Sequence, residues 1–245
     1  MSFRFFSRLF GINLVTSTRS IMHRSATLAG AAVAMGVVAS AHAVVTNGSF
    51  EQPSVPVGSY TTYSGGSTGI TGWTVVGVNV DVSETSAFSG AIALIAQDGQ
   101  QWLDLTGFGS NSPSNGVTQD VPTAMGQLYR LSFYVGSATD NLNVFASTVD
   151  LSIDGGSRMS FTNPNTPLDR LDWQMFYADF VAASGTTNIT FYNGSPGNSH
   201  TCGLDNVTLQ AIPAPGAAAL LGLGGLLTMH RRRVRTASMP STACS

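Results

Sequence analysis

Hydrophobic and polar positions alternate with a period of two along the middle of this chain. From Leu128 to Val135, residues Tyr129, Leu131, Phe133 and Val135 fall on one side of an extended strand, and Arg130, Ser132 and Tyr134 on the other. A half-buried antiparallel strand needs this pattern, with one face in a core and the other toward solvent. Similar short runs occur at Trp73–Val76, Ala91–Ile95, Trp102–Leu105, Val117–Val121, Val149–Ile153, Trp173–Val181, Thr187–Tyr192 and Leu204–Leu209, separated by clusters of Gly, Asn, Ser, Asp and Pro. No window of useful length places apolar residues at helical spacing. The stretch from Ser54 to Gly72 is rich in Gly, Ser and Thr and reads as a long loop. The number, length and spacing of the runs predict an all-β domain, a two-sheet antiparallel sandwich.

The two ends follow a different rule. Near the N-terminus Arg24 precedes an apolar run from Ala26 to Ala39, and Ala41-His42-Ala43 supplies the small residues that a signal-peptide cleavage site requires, which predicts a mature chain from Val44. Met22 stands just before this segment and is read as the true start. At the other end Ile212-Pro213-Ala214-Pro215 leads into a small-apolar run from Gly216 to Met229, and then into His230 and the cluster Arg231, Arg232, Arg233. At ~1.5 Å per helical residue this run spans roughly 21 Å, short of a hydrocarbon core of ~30 Å. The division is therefore a leader and signal helix over residues 1–43, a β-sandwich domain over 44–211, and a tail with a hydrophobic helix over 212–245.

Charge sharpens that division. All 13 acidic residues lie in the sandwich segment, together with only Arg130, Arg158 and Arg170 of the 11 basic ones, so its net charge is 3 − 13 = −10 although the whole chain is near −2. An acidic domain without a single lysine is a poor partner for nucleic acid or anionic lipid and a better one for cations. Of the two cysteines, Cys202 and Cys244, the second lies in the tail, so the sandwich is stabilised by packing or by metal rather than by a disulfide.

Catalytic constellations are sparse. His23 and His42 lie in the leader and His230 in the tail, leaving His200 as the one imidazole of the sandwich, and no nucleophile elbow, zinc-binding helix or phosphate loop occurs. The expectation is a protein that is not an enzyme; a glycoside or ester hydrolase working through two carboxyls is the weaker alternative. If Leu103 and Leu105 point inward, Trp102 and Asp104 face outward together, an aromatic platform beside a polar group, with Tyr60 and Tyr63 as further candidates for stacking on a sugar. Glu51 follows the first strand and Asp205 opens the last. If those strands lie side by side, the two carboxylates hold a Ca²⁺; otherwise they cap turns and accept backbone N–H groups.

Two resemblances add to this reading. The proline turn, apolar helix and arginine cluster of the tail resemble the PEP-CTERM sorting signal of Gram-negative bacteria. That implies recognition of Pro213, Pro215 and Arg231–Arg233 by an exosortase-type processing protease, a transient stay in the inner membrane, and delivery to the cell surface, outer membrane or extracellular matrix; a plain single-pass anchor is the alternative. The sandwich segment carries Asn47-Gly48-Ser49-Phe50-Glu51, then Gly72-Trp73, Asp98-Gly99, Leu103-Asp104-Leu105-Thr106-Gly107, Tyr129-Arg130-Leu131-Ser132-Phe133, Trp173 with Phe176 and Phe180, and Cys202-Gly203-Leu204-Asp205-Asn206-Val207. In this order they resemble the choice-of-anchor domains that begin NGSFE and, more distantly, carbohydrate-binding modules of the galactose-binding-like fold. The resemblance implies a jelly roll, polysaccharide or exopolymer as partner, and a structural calcium between the first and last segments. As large aromatic side chains, Trp73, Trp173, Phe176 and Phe180 are read as core, filling the layer between the sheets. Adhesion to other proteins is the alternative function.

Overall fold

A computed structural model describes residues 44–87, 94–139, 146–167, 170–195 and 200–213. The described residues belong to one compact unit. The signal cleavage residues Ala41 and Ala43, and Pro215 and Arg231–Arg233 of the tail, lie outside the described residues; Pro213 is exposed at their end.

The alternating runs form strands: β1 (Tyr60–Ser64), β2 (Thr74–Val76), β3 (Asn79–Glu84), β4 (Gln101–Asp104), β5 (Gly116–Pro122), β6 (Leu128–Thr139), β7 (Ser147–Ile153), β8 (Met159–Asn163), β9 (Asp172–Val181), β10 (Thr186–Asn193) and β11 (His200–Ala211). All pair antiparallel, in a six-stranded sheet ordered β1-β3-β4-β11-β6-β9 and a five-stranded sheet ordered β2-β5-β10-β7-β8. The architecture is the two-sheet jelly-roll sandwich that the pattern predicts. Strands β1, β3 and β8 are additions to the sequence reading. Strands β1 and β8 are polar sheet edges, and β1 falls inside the stretch read as a loop, because an edge strand needs little apolar surface. The run Ala91–Ile95 differs in the other direction: its described part, Leu94 and Ile95, is not a strand.

The inward residues of both sheets form one core, in which Tyr129, Leu131, Phe133 and Val135 are fully buried beside Leu103, Leu105, Leu151, Ile189 and Phe191. Phe50 and Trp73 close one end with ring centroids 5.5 Å apart, and the Trp73 indole N–H donates to the Asn47 carbonyl at 3.0 Å. Phe176 and Phe180 pack against this core as expected. Trp173 does not. It pairs with Gly136 on the outer face of the six-stranded sheet, where a Cβ on Gly136 or Gly203 would lie 2.7 or 2.8 Å from its ring. These two glycines make the flat floor on which the indole lies.

Candidate functional site

The N-terminal segment enters across the last strand. Gly48 lies against Val207, at the irregularity between Asp205 and Thr208 that breaks the β11–β6 register, and the Val207 N–H donates to the Gly48 carbonyl at 2.9 Å. Both ends of the domain then grip residues 97–101. Glu51 Oε1 accepts the backbone N–H groups of Gln100 (2.8 Å) and Gln101 (2.7 Å), while Asp205 Oδ2 accepts those of Gln97 (2.8 Å) and Asp98 (3.0 Å) and Oδ1 that of Asn206 (2.7 Å). Ser49 donates to Asp98 and Asn206 to Gln97, closing the clasp. Burial pushes the Asp205 carboxyl up to about 7, against the lowering effect of those N–H groups.

This geometry bears on the calcium expected between Glu51 and Asp205. Both carboxylates do stand at the same loop, but the oxygens named are turned onto backbone donors that a cation would have to displace. The two side chains therefore do not fit a Ca²⁺ between them; the turn-capping alternative describes what they do here.

The platform reading of Trp102 is corrected in a similar way. Its neighbours Leu103 and Leu105 point into the core, so Trp102 faces outward as the alternation requires, yet it is 0% exposed. Leu94 and Ala96 lie over it, with Ala138, Leu171 and Trp173 packed around them in a second apolar cluster. The Trp102 indole N–H donates to the Leu94 carbonyl at 3.0 Å, and that of Trp173 to the Ile95 carbonyl at 2.8 Å. Both indoles thus hold a covering segment, and Trp102 presents no free face. Tyr63 pairs with inward Val80 and packs against the main core, so it too leaves the candidate set.

Asp104 and Tyr60 remain, and the register gives them companions. Thr62, Asp81, Asp104, Gly203, Gly136 and Trp173 are paired in succession across β1, β3, β4, β11, β6 and β9, so all six share the outer face in one row. Asp81 and Asp104 stand directly opposite each other. Asp104 Oδ1 accepts the Thr106 N–H (3.0 Å), the Thr106 hydroxyl (2.7 Å) and the Cys202 N–H (3.2 Å). Burial of the Asp104 carboxyl pushes it up to about 6, those bonds pull it down, and the Asp81 charge adds to the rise. Asp81 is also raised by burial, opposed by hydrogen bonds from the Thr62 hydroxyl and the Phe108 N–H. Asp81 Oδ1 is buried and has no hydrogen-bond partner among the described residues.

Beside this pair the Phe108 ring stacks on Tyr60 with centroids 6.2 Å apart and planes at 28°, and Phe108 is 67% exposed. Asp81, Thr62 and Phe108 are the functional candidates missed from the sequence. A signal for Asp81 was present, since Val80-Asp81-Val82 repeats the aliphatic–Asp–aliphatic pattern of Leu103-Asp104-Leu105.

With this geometry in view, the comparisons place the chain. The model of the family described as "Protein of unknown function (DUF642)" matches residues 43–210. Among solved structures, the Stig cyclase Fisc from Fischerella sp. TAU, in complex with (3Z)-3-(1-methyl-2-pyrrolidinylidene)-3H-indole, is similar over 70% of this chain and 98% of its own, with 17% identity and a TM-score of 0.51. The CBM22-1 xylan-binding domain of Xyn10C from Paenibacillus barcinonensis is similar over 72% of this chain and 99% of its own (14% identity, TM-score 0.40), and the family 35 carbohydrate-binding module from Clostridium thermocellum over 62% and 98% (17%, 0.36). No curated protein matches the chain.

Proposed function

We propose, for a chain that belongs to the DUF642 family, that the sandwich binds polysaccharide without turning it over, on the outer face of the six-stranded sheet. The observation that carries the reading is the exposed Phe108–Tyr60 stack set beside the Asp81–Asp104 pair and the exposed Thr62. A sugar ring offers C–H faces to an aromatic side chain and hydroxyl donors to carboxylates, and this face places both kinds of partner together. Adhesion to another protein is the second reading, favoured by the exposed Met175, Tyr177 and Val181 along edge strand β9.

Phe108→Ala is expected to weaken retention on the bound polysaccharide by about tenfold, equivalent to ~1.4 kcal/mol, with an unchanged melting temperature because the ring is largely in solvent. Affinity electrophoresis through soluble polysaccharides, with an assay for new reducing ends, makes the check. Retention that survives Phe108→Ala moves the site elsewhere; release of reducing ends makes the protein a hydrolase.

Export completes the proposal. It is supported by the leader with Ala41 and Ala43, and by the tail with Pro213, Pro215 and Arg231–Arg233, through which an exosortase-type protease acts at the inner membrane. Intact mass of surface-released protein is expected to begin at Val44 and to lack Ser245. A mass that includes Ser245 replaces processing by a permanent anchor or plain secretion.

A further inference from the structure

We propose that Asp81 and Asp104, with the Thr62 hydroxyl beside them, hold a divalent cation of the calcium class on the outer sheet face, and that sugar hydroxyls complete its coordination; the second half rests on the glycan reading above.

Two carboxylates directly opposite on adjacent strands, Asp81 on β3 and Asp104 on β4, repel each other, and like charges in that position weaken a sheet. Asp81 is only 7% exposed, so water does little to screen it, and its Oδ1 has no partner among the described residues. A buried acceptor without a donor is costly and marks the place of a missing positive partner. Two of the sandwich's arginines are engaged elsewhere: Arg130 grips Asp179 at 2.7 Å and lies over Tyr177, while Arg158 reaches the Pro113 carbonyl and the Tyr192 ring on the other sheet. Among the described residues, the hydrogen bonds of Asp104 all fall on Oδ1, which leaves Oδ2 as a ligand oxygen on the residue directly opposite Asp81.

Hard oxygen donors of this kind select calcium over softer metals. Two carboxylates and one hydroxyl fall short of the six to eight oxygens that calcium takes, so the protein by itself makes a weak site with open positions. Vicinal hydroxyls of a sugar stacked on Phe108 fill them. The Phe108 backbone is among the groups that lower the Asp81 carboxyl, so the ring that receives the sugar stands close to the carboxylate that receives the cation.

The test uses the full chain and terbium as the probe, read by luminescence sensitised from nearby aromatic rings and displaced by calcium. Expected are saturable, calcium-competed emission, at least tenfold weaker binding in Asp81→Asn and in Asp104→Asn, and no change in Glu51→Gln. If the asparagine variants do not fold, Thr62→Val, at an exposed edge-strand position, is expected to weaken binding as well. Absence of saturable emission overturns the site, as does emission lost in Glu51→Gln but kept in the other variants, which puts the ion in the terminal clasp. Retention on polysaccharide is measured in parallel with chelator and with millimolar calcium. Loss in chelator supports the bridge; equal retention overturns it. Retention without terbium binding sinks the cation and leaves the glycan reading standing.

Discussion

Trp102→Ala lowers the stability of the domain by about 3–5 kcal/mol, the range for removing a large buried aromatic side chain. The indole has no exposed surface, meets Trp173 edge-on with centroids 6.2 Å apart, and bonds the Leu94 carbonyl. Truncation opens a void between the sheet and residues Leu94–Ala96 and leaves that carbonyl without its donor. Trp102→Phe separates the two effects, since most of the volume stays and one hydrogen bond of ~1 kcal/mol goes. Urea unfolding of both variants makes the measurement. An unchanged midpoint for the alanine variant, with lost polysaccharide retention, would return Trp102 to the binding face.

The second large effect concerns Asp205. Asp205→Ala removes the acceptor of the part-buried N–H groups of Gln97, Asp98 and Asn206, each hydrogen bond worth ~1 kcal/mol and more where water cannot replace it, and is expected to cost about 3–5 kcal/mol at pH 5. The sign of its pH dependence follows from the raised carboxyl. With a folded-state pKa of about 7 against an ordinary 3.8, the folded chain holds this proton more tightly than the unfolded one, so stability is highest below pH 4 and falls as pH rises toward 7. The alanine variant lacks that slope. Its deficit against the parent is therefore largest below pH 4, still large at pH 5, and smaller by on the order of a few kcal/mol at pH 8. Asp104, also raised by burial, contributes the same sign to both proteins and cancels in the comparison. A deficit that grows with pH would mean that the three N–H groups, rather than burial, control this carboxyl.

Both residues show where the binding chemistry was and was not legible. Asp104 was legible because it sits in a strand whose alternation sends it outward, whereas Tyr60 was legible only as an aromatic within a stretch that reads as a loop. Asp81, Thr62 and Phe108 were not, because their meaning depends on which strands become neighbours. Nothing local says that β3 lies between β1 and β4, or that Asp81 stands opposite Asp104 rather than one pair along.

By itself, the sequence determined the fold class and, in the strands it identified, the inward set apart from Trp173, since the side-chain period of two is a local property of extended backbone. Tyr129, Leu131, Phe133, Val135, Leu103 and Leu105 are buried where the alternation puts them. Only the tertiary structure decided which outward residues meet solvent. Trp102 and Trp173 both leave the inter-sheet core, yet one is sealed under Leu94 and Ala96 and the other lies on Gly136 and Gly203, while Phe108 stays open. Glu51 and Asp205 likewise meet at one loop, but that loop's backbone N–H groups take up their carboxylate oxygens. Alternation fixes the face a side chain occupies; coverage and partners come from segments distant in sequence, placed by strand order and register.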